Sequence, residues 1–349
     1  MTDAVVKAPA VASGVDARAR PYLGYLHNFR GFAITLIIAT HCVSIFDWSA
    51  SPLLETVLKR LVANGTILFL FIAGFLFQHL SAKYEFRDYL WKKTRFVVFP
   101  YLFTSLPAIV LFTAVMVRPE VPQGLYDAPV WQQVGIFLLT GSHLAPFWFI
   151  PTVVLFYLAS PLLHWLDRKP WFYALLPAAL LIPVFVPRGS FDPLQSFIHF
   201  FPVWMLGMAC SHYRATATNW LEKGFWPLGL AFMVFLMLEM TYAQGTHSWY
   251  STVGKIVLTL YLFELFRRWG SGSRRFFELA GTLSFGLFFV HSYVISVSKL
   301  AVDRFAGGPP AGSLVGYLLS LVLAVLVSVA VVRMGKWMLG RYSRMALGV

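Results

Sequence analysis

Long stretches without a single charged residue decide what this chain can fold into. Leu61 to Ala82, Phe96 to Val117, Pro193 to Tyr213, Leu279 to Ser298 and Phe305 to Val332 contain no Asp, Glu, Lys or Arg. Each approaches or exceeds the ~20 apolar residues that carry a helix across a bilayer core. The 349-residue chain is 58% apolar and only 12% charged, about half the roughly 25% charge of a soluble domain. Such a composition cannot solvate a compact globule. A transmembrane β-barrel would alternate polarity over ~10-residue segments, and disorder requires low hydrophobicity; neither describes these continuous runs. The sequence specifies an all-α, polytopic membrane helix bundle embedded in a lipid bilayer. Cys42 and Cys210 both lie in apolar segments, so neither a disulfide framework nor a metal site is expected.

Hydropathy and helix breakers place about ten transmembrane helices, near 28–47, 61–80, 95–117, 146–166, 171–187, 195–213, 225–243, 253–268, 279–298 and 314–333. Trp131 to Thr140 is too short to cross and runs into Gly141-Ser142-His143, so 128–145 reads as an interfacial or re-entrant piece whose backbone is satisfied by protein or water. The opening residues lack a long apolar core and read as a polar tail, not a cleavable signal peptide. With both termini cytoplasmic, inward segments hold 21 of the 28 Lys and Arg residues, leaving seven outward: Lys59, Arg60, Arg118, Arg188, Lys255, Lys299 and Arg304. That bias matches the positive-inside rule and accounts for the net charge of +13 with no nucleic-acid partner. The expected organisation is a polar cytoplasmic tail over 1–21, one transmembrane domain over 22–340 and a cytoplasmic tail over 341–349.

Ionisable residues within membrane spans are costly and are functional candidates by default. Arg30 and His41 lie eleven residues apart in the first span, close to three helical turns, so they share a face and are separated by roughly 16 Å along the axis. A neutral imidazole can take a proton from a hydroxyl near neutral pH; a histidine bridging helices for packing is the competing reading of His41. Lys92, Lys93 and Arg95 form an inward basic cluster, which the orientation rule alone also explains. Glu264 sits beside Arg267 and Arg268, where a local ion pair is expected.

Six pieces of sequence, in order, give these residues a context. Arg30-x10-His41 follows Tyr25-Leu26-His27-Asn28-Phe29. Leu70 to Leu76, Lys92-Lys93-Thr94-Arg95-Phe96 with Pro100-Tyr101, Phe147-Trp148-Phe149-Ile150 with Tyr157 and Pro161-Leu162-Leu163, Phe201 to Met208, and Leu287 to His291 come after it. Over about 22–300 this series resembles acyltransferase family 3, the integral-membrane acyl-CoA-dependent O- and N-acyltransferases. Ala73 stands where that family usually has Ser, and Lys92 and Lys93 with Arg95 stand in place of its commoner paired arginines.

The resemblance implies an O-acyltransferase of the bacterial cytoplasmic membrane. It would move an acyl group, most simply acetyl with succinyl as an alternative, from cytoplasmic acyl-CoA to a hydroxyl of an extracytoplasmic polysaccharide or lipid-linked glycan. Acetyl-CoA would be a co-substrate, with no metal, and polysaccharide-synthesis machinery a partner. It further implies His41 as general base, or as an acyl-carrying nucleophile, with Arg30 assisting and Lys92, Lys93 and Arg95 holding the coenzyme A phosphates. Trp148, Glu239 and His291 are candidate acceptor-site residues. Trp148 competes with an interfacial aromatic belt, Glu239 with a headgroup contact, and His291, at a depth similar to that of His41, with packing. A transporter or flippase for a glycolipid or oligosaccharide, lined by Arg30, His41 and Glu239, is the alternative class, although no internal repeat of the kind such proteins often carry is visible.

Overall fold

The computed structural model describes residues 23–242, 248–270 and 275–349; the N-terminal tail expected over 1–21 lies outside them. Every regular element among the described residues is helical, and the one β-bridge joins Asp47 to Ala311. In chain order the first helices are α1 (Gly24–Cys42), α2 (Pro52–Val62), α3 (Gly65–His79), α4 (Phe86–Lys93), α5 (Phe99–Val110), α6 (Val130–Thr140), α7 (Phe149–Leu158) and α8 (Ser160–Leu166). Two single turns, α9 (Leu176–Ala179) and α10 (Ile182–Phe185), lead to α11 (Pro193–His212), α12 (Arg214–Tyr242) and α13 (Trp249–Trp269). The amphipathic α14 (Arg275–Thr282), then α15 (Ser284–Ala306), α16 (Leu314–Leu339) and a final turn α17 (Ser343–Ala346) complete the chain.

Seven of these helical stretches are long and apolar enough to cross a membrane, or eight if the bent pair α7 and α8 counts as one. α13 is of comparable length, but Lys255, Glu264, Arg267 and Arg268 dilute its hydropathy. The elements differ from regular spans where the sequence carries proline. The span expected over 146–166 is bent by 55° between α7 and α8, at Ala159, two residues before Pro161. The span through α5 has π-helical turns at Thr94–Val98 and Leu111–Val115, flanking Pro100 and Pro107, whose missing N–H groups break the regular ladder. α6, eleven residues long, spans only about 16 Å at 1.5 Å per residue, half a hydrocarbon core, and ends at Gly141 with φ of 68°, a left-handed cap that favours glycine.

Burial sorts centre from periphery. Two thirds of the apolar window is buried in the stretch containing α2 and α3 and in α11, against 11% in α12 and 22% in the stretch containing α16. On the last two, Trp226, Leu230, Leu319 and Leu323 are exposed, as expected of a face turned to lipid. α3 and α11 touch backbone to backbone: a Cβ on Gly74 would strike the Trp204 carbonyl, and one on Gly207 the Phe71 carbonyl. Small residues allow this approach where hydrophobicity gives no drive between membrane helices. Beside the crossing, Trp204 stacks on Phe156 with centroids 4.4 Å apart. α1 packs against α3, α13, α14, α15 and α16, which makes it the axial element.

Substituting Gly207 by Val should cost about 1–3 kcal/mol through overpacking and lower the melting temperature of the detergent-solubilised protein. Gly224→Ala is the control, since its Cβ would meet only Leu228, at 3.8 Å, and should leave melting unchanged or raise it.

Candidate functional site

The last carbonyls of a helix lack intrahelical partners, and within a bilayer each must find another donor. At the C-terminal end of α1, Tyr317 of α16 donates to Ala39 O at 3.2 Å, Ser44 Oγ donates to His41 O at 2.7 Å, and Trp48 Nε1 donates to Val43 O at 2.8 Å. Thr40 Oγ1 lies 2.9 Å from Val62 O, tying the same turn to α2. The backbone on both sides of His41 is thereby fixed, and its side chain is aimed into a cavity of about 740 Å³. This cavity is walled by α1, the α2–α3 junction, the first halves of α11 and α13, Trp148, and the connections around Arg118 and Arg188.

Three histidines in this half of the protein are chemically unlike one another. His143 is buried and uses both ring nitrogens, with Phe137 O at 2.9 Å and Ser105 Oγ at 2.8 Å, so it is a structural clamp. His291 is buried in α15, and its Nδ1 lies 2.8 Å from Leu287 O. A carbonyl can only accept, so Nδ1 carries the proton and Nε2 presents a lone pair, which has no partner among the described residues. His41 is half-buried and lines the cavity, and neither of its ring nitrogens has a hydrogen-bond partner among the described residues. The His41 and His291 rings are neighbours, with centroids 5.4 Å apart and planes at 42°. His41 faces the open space and His291 stands behind it, outside the cavity lining.

Arg30 is at the other end of α1, where Nη2 donates to Gly281 O at 2.7 Å. His27 Nε2 meets Glu278 O at 3.0 Å and Thr282 Oγ1 at 3.1 Å, and Asn28 Nδ2 donates to Gly270 O, so this end of α1 is pinned to α14 and the end of α13. Arg30 and His41 thus lie toward opposite ends of one helix. The three expected phosphate-binding residues point in different directions. Lys92 is exposed and paired with Asp88 at 2.6 Å. Lys93 is turned inward over the rings of Tyr89 and Tyr157, 5.2 and 5.0 Å from their centroids, and Arg95 lies 5.4 Å from the Phe96 centroid. Lys93 is close enough to Arg30 for their charges to interact. Arg344 of α17 also lies over Phe96, 4.0 Å from the same ring centroid.

Trp148 lines the cavity, stacked on Phe200 at 6.1 Å, with the Arg188 guanidinium 4.4 Å from its ring centroid. Glu239 is buried and bound by Arg60 at 2.6 Å, apart from the cavity lining. Glu264 makes the expected ion pairs, with Arg267 at 2.7 Å and Arg268 at 2.6 Å. Sequence reasoning did not single out Arg118, Glu120, Arg188, His199 or Lys255, all of which line the cavity. Glu120 bonds Arg118 Nε at 3.1 Å. Partial burial disfavours its charged form, but its own backbone N–H and the Arg118 guanidinium outweigh that and hold its carboxyl below the usual range. Among the described residues, no group of three His, Cys, Asp or Glu is arranged to hold a metal ion.

The acyltransferase-domain family model matches residues 23–333, nearly the whole chain. The chain belongs to acyltransferase family 3. As a member of that family it is a membrane acyltransferase, and the matched range contains both ends of α1, the cavity and His291. No curated protein and no solved structure matches the chain.

The cavity geometry predicts different reagent access for the two neighbouring histidines of this acyltransferase. In a background lacking Cys42 and Cys210, His41→Cys should react with a small membrane-impermeant thiol reagent, and His291→Cys should stay unlabelled over the same time. Equal labelling would mean that the open space reaches behind His41.

Proposed function

We propose that the chain is an O-acyltransferase in which His41 is the general base, the acyl donor is a cytoplasmic acyl-CoA, most simply acetyl-CoA, and the acceptor is a hydroxyl of an extracytoplasmic glycan or lipid-linked saccharide. The observation that carries this reading is the unbonded imidazole of His41 at the wall of a cavity of about 740 Å³, in a chain that belongs to an acyltransferase family. A histidine kept for packing would spend its nitrogens as His143 does.

In this reading the bundle crosses the membrane about ten times, through the candidate spans together with α13 and the apolar turns over 173–185. The Lys/Arg bias sets both termini and Arg30 in the cytoplasm, and the cavity opens to the far side of a bacterial cytoplasmic membrane. Donor and acceptor then approach α1 from opposite ends. Lys93, with no carboxylate within ion-pair distance among the described residues, Arg95 and the neighbouring Arg344 offer charge to the coenzyme A phosphates, Arg95 and Arg344 as planar forks.

In the transfer step, His41 removes the proton as the acceptor oxygen attacks the thioester carbonyl. The carbon–sulfur bond breaks as the oxygen ester forms, and the proton on His41 passes to the departing thiolate, so the products are an O-acyl glycan and free coenzyme A. His291 acts through His41: its buried Nε2 lone pair accepts the N–H of one His41 nitrogen after a small ring rotation, leaving the other nitrogen as the base toward the cavity. This is the logic of a base oriented by a third group.

The test is coenzyme A release from acetyl-CoA in membranes supplied with candidate surface glycans. His41→Ala should lower release by about 10²–10⁴-fold, the usual contribution of general acid–base catalysis, at unchanged expression and melting temperature. His291→Phe should lower kcat by less and leave acyl-CoA affinity unchanged. Equal turnover in wild type and His41→Ala would remove the proposed base, and release from neither would leave a different acyl donor or the transport reading.

A further inference from the structure

Counting charges on the cavity wall identifies what the acceptor carries besides its hydroxyl. Three cations line it, Arg118, Arg188 and Lys255, and Glu120 is the carboxylate among its lining residues. Glu120 is already bound by Arg118 at 3.1 Å. Arg188 rests on the face of Trp148, and neither it nor Lys255 has a carboxylate within ion-pair distance among the described residues. Glu239, outside the lining, is committed to Arg60 at 2.6 Å. Arg118 is only 7% exposed, and its Nη1 has no hydrogen-bond partner among the described residues.

Uncompensated like charges at one wall repel, and an unpaired buried guanidinium nitrogen carries its full desolvation cost. A neutral sugar relieves neither. An anionic oxygen group relieves both, by the forked, charge-assisted hydrogen bonds that guanidinium groups make with carboxylates and phosphates. The positions are also unusual in sequence: all three cations are among the seven Lys and Arg residues on the side that the orientation rule leaves poor in positive charge. We propose that the acceptor is an anionic saccharide, its carboxylate or phosphate held by Arg188, Lys255 and Arg118 while its hydroxyl faces His41. This rests on the acyl-transfer reading above and narrows its substrate class. Trp148 and Phe200, stacked at the same wall, supply an apolar surface for the carbon face of a sugar ring.

The experiment uses the full chain in detergent or nanodiscs and two matched pairs of probes: an oligosaccharide ending in glucuronate against the same chain ending in glucose, and a glycosyl phosphate against its methyl glycoside. Binding is measured without any acyl-CoA, and acyl transfer is measured separately as ester formation by mass spectrometry. The charged member of at least one pair should bind about tenfold more tightly, the equivalent of one charge-assisted hydrogen bond, and should be the better acceptor. Arg188→Gln with Lys255→Gln should erase the difference, whereas Arg188→Lys with Lys255→Arg should retain it. Which pair responds tells a uronate-type carboxylate from a phosphate. Charge-selective binding without thioester consumption for any acyl-CoA would sink the transfer reading and leave the anionic site standing. Equal binding and equal transfer for charged and neutral probes would overturn the anionic site and leave the transfer reading intact. A dependence on Arg188 and Lys255 that appears with succinyl-CoA but not with acetyl-CoA, whatever the acceptor, would also overturn it by assigning the cations to the donor's own carboxylate. Should the double Gln variant fail to fold, the wild-type comparison of matched probes still decides.

Discussion

A polar atom in the hydrocarbon region has no water to turn to, and this protein is arranged around that fact. The end of α1 that carries His41 is closed by donors from Tyr317, Ser44 and Trp48, and the other end by Arg30, His27 and Asn28 reaching across to carbonyls of α13 and α14. Buried Glu264 is held by two arginines, and buried His143 by a carbonyl and a hydroxyl. Against that background, an imidazole or guanidinium nitrogen without a partner is informative. Among the described residues, His41, His291 and Arg118 supply four such atoms in or beside one cavity.

The fold class was legible because lipid imposes one rule over a long length. Twenty uncharged residues in a row have few other destinations, and the family resemblance follows residues whose spacing is set by helix geometry. What the sequence concealed was local. The bend after α7 and the π turns around Pro100 and Pro107 come from missing N–H donors, whose effect depends on what the neighbouring helices offer in exchange. α13 carries four charged residues that blur its hydropathy, yet it packs against α1, α3 and α10 near the centre because Glu264 and the two arginines satisfy one another.

The site divided in the same way. His41 and Arg30 stood out in sequence because both lie on one helix, where position can be converted into direction. Lys92, Lys93 and Arg95 are adjacent in sequence but straddle the start of a π turn, and their side chains part company. Arg118, Arg188 and Lys255 meet only through the tertiary fold. The available signal was their place in the charge count: each is among the seven Lys and Arg residues that fall outside the segments expected to face inward, and a charge kept against that trend needs a local cause.

The pinning of α1 at both ends carries a mechanical consequence. An unbroken helix bonded to α14 at one end and to α2 and α16 at the other is a fixed post: it cannot slide toward one face of the membrane and then the other. The imidazole therefore waits at a constant depth, and every displacement needed to admit a donor, admit an acceptor and release products falls to the shorter, irregular pieces around it. The connection over 186–192 and the segment that follows the second π turn, with Arg118 and Glu120, border the cavity directly. Motion in such a design belongs to the cavity walls, around a stationary His41.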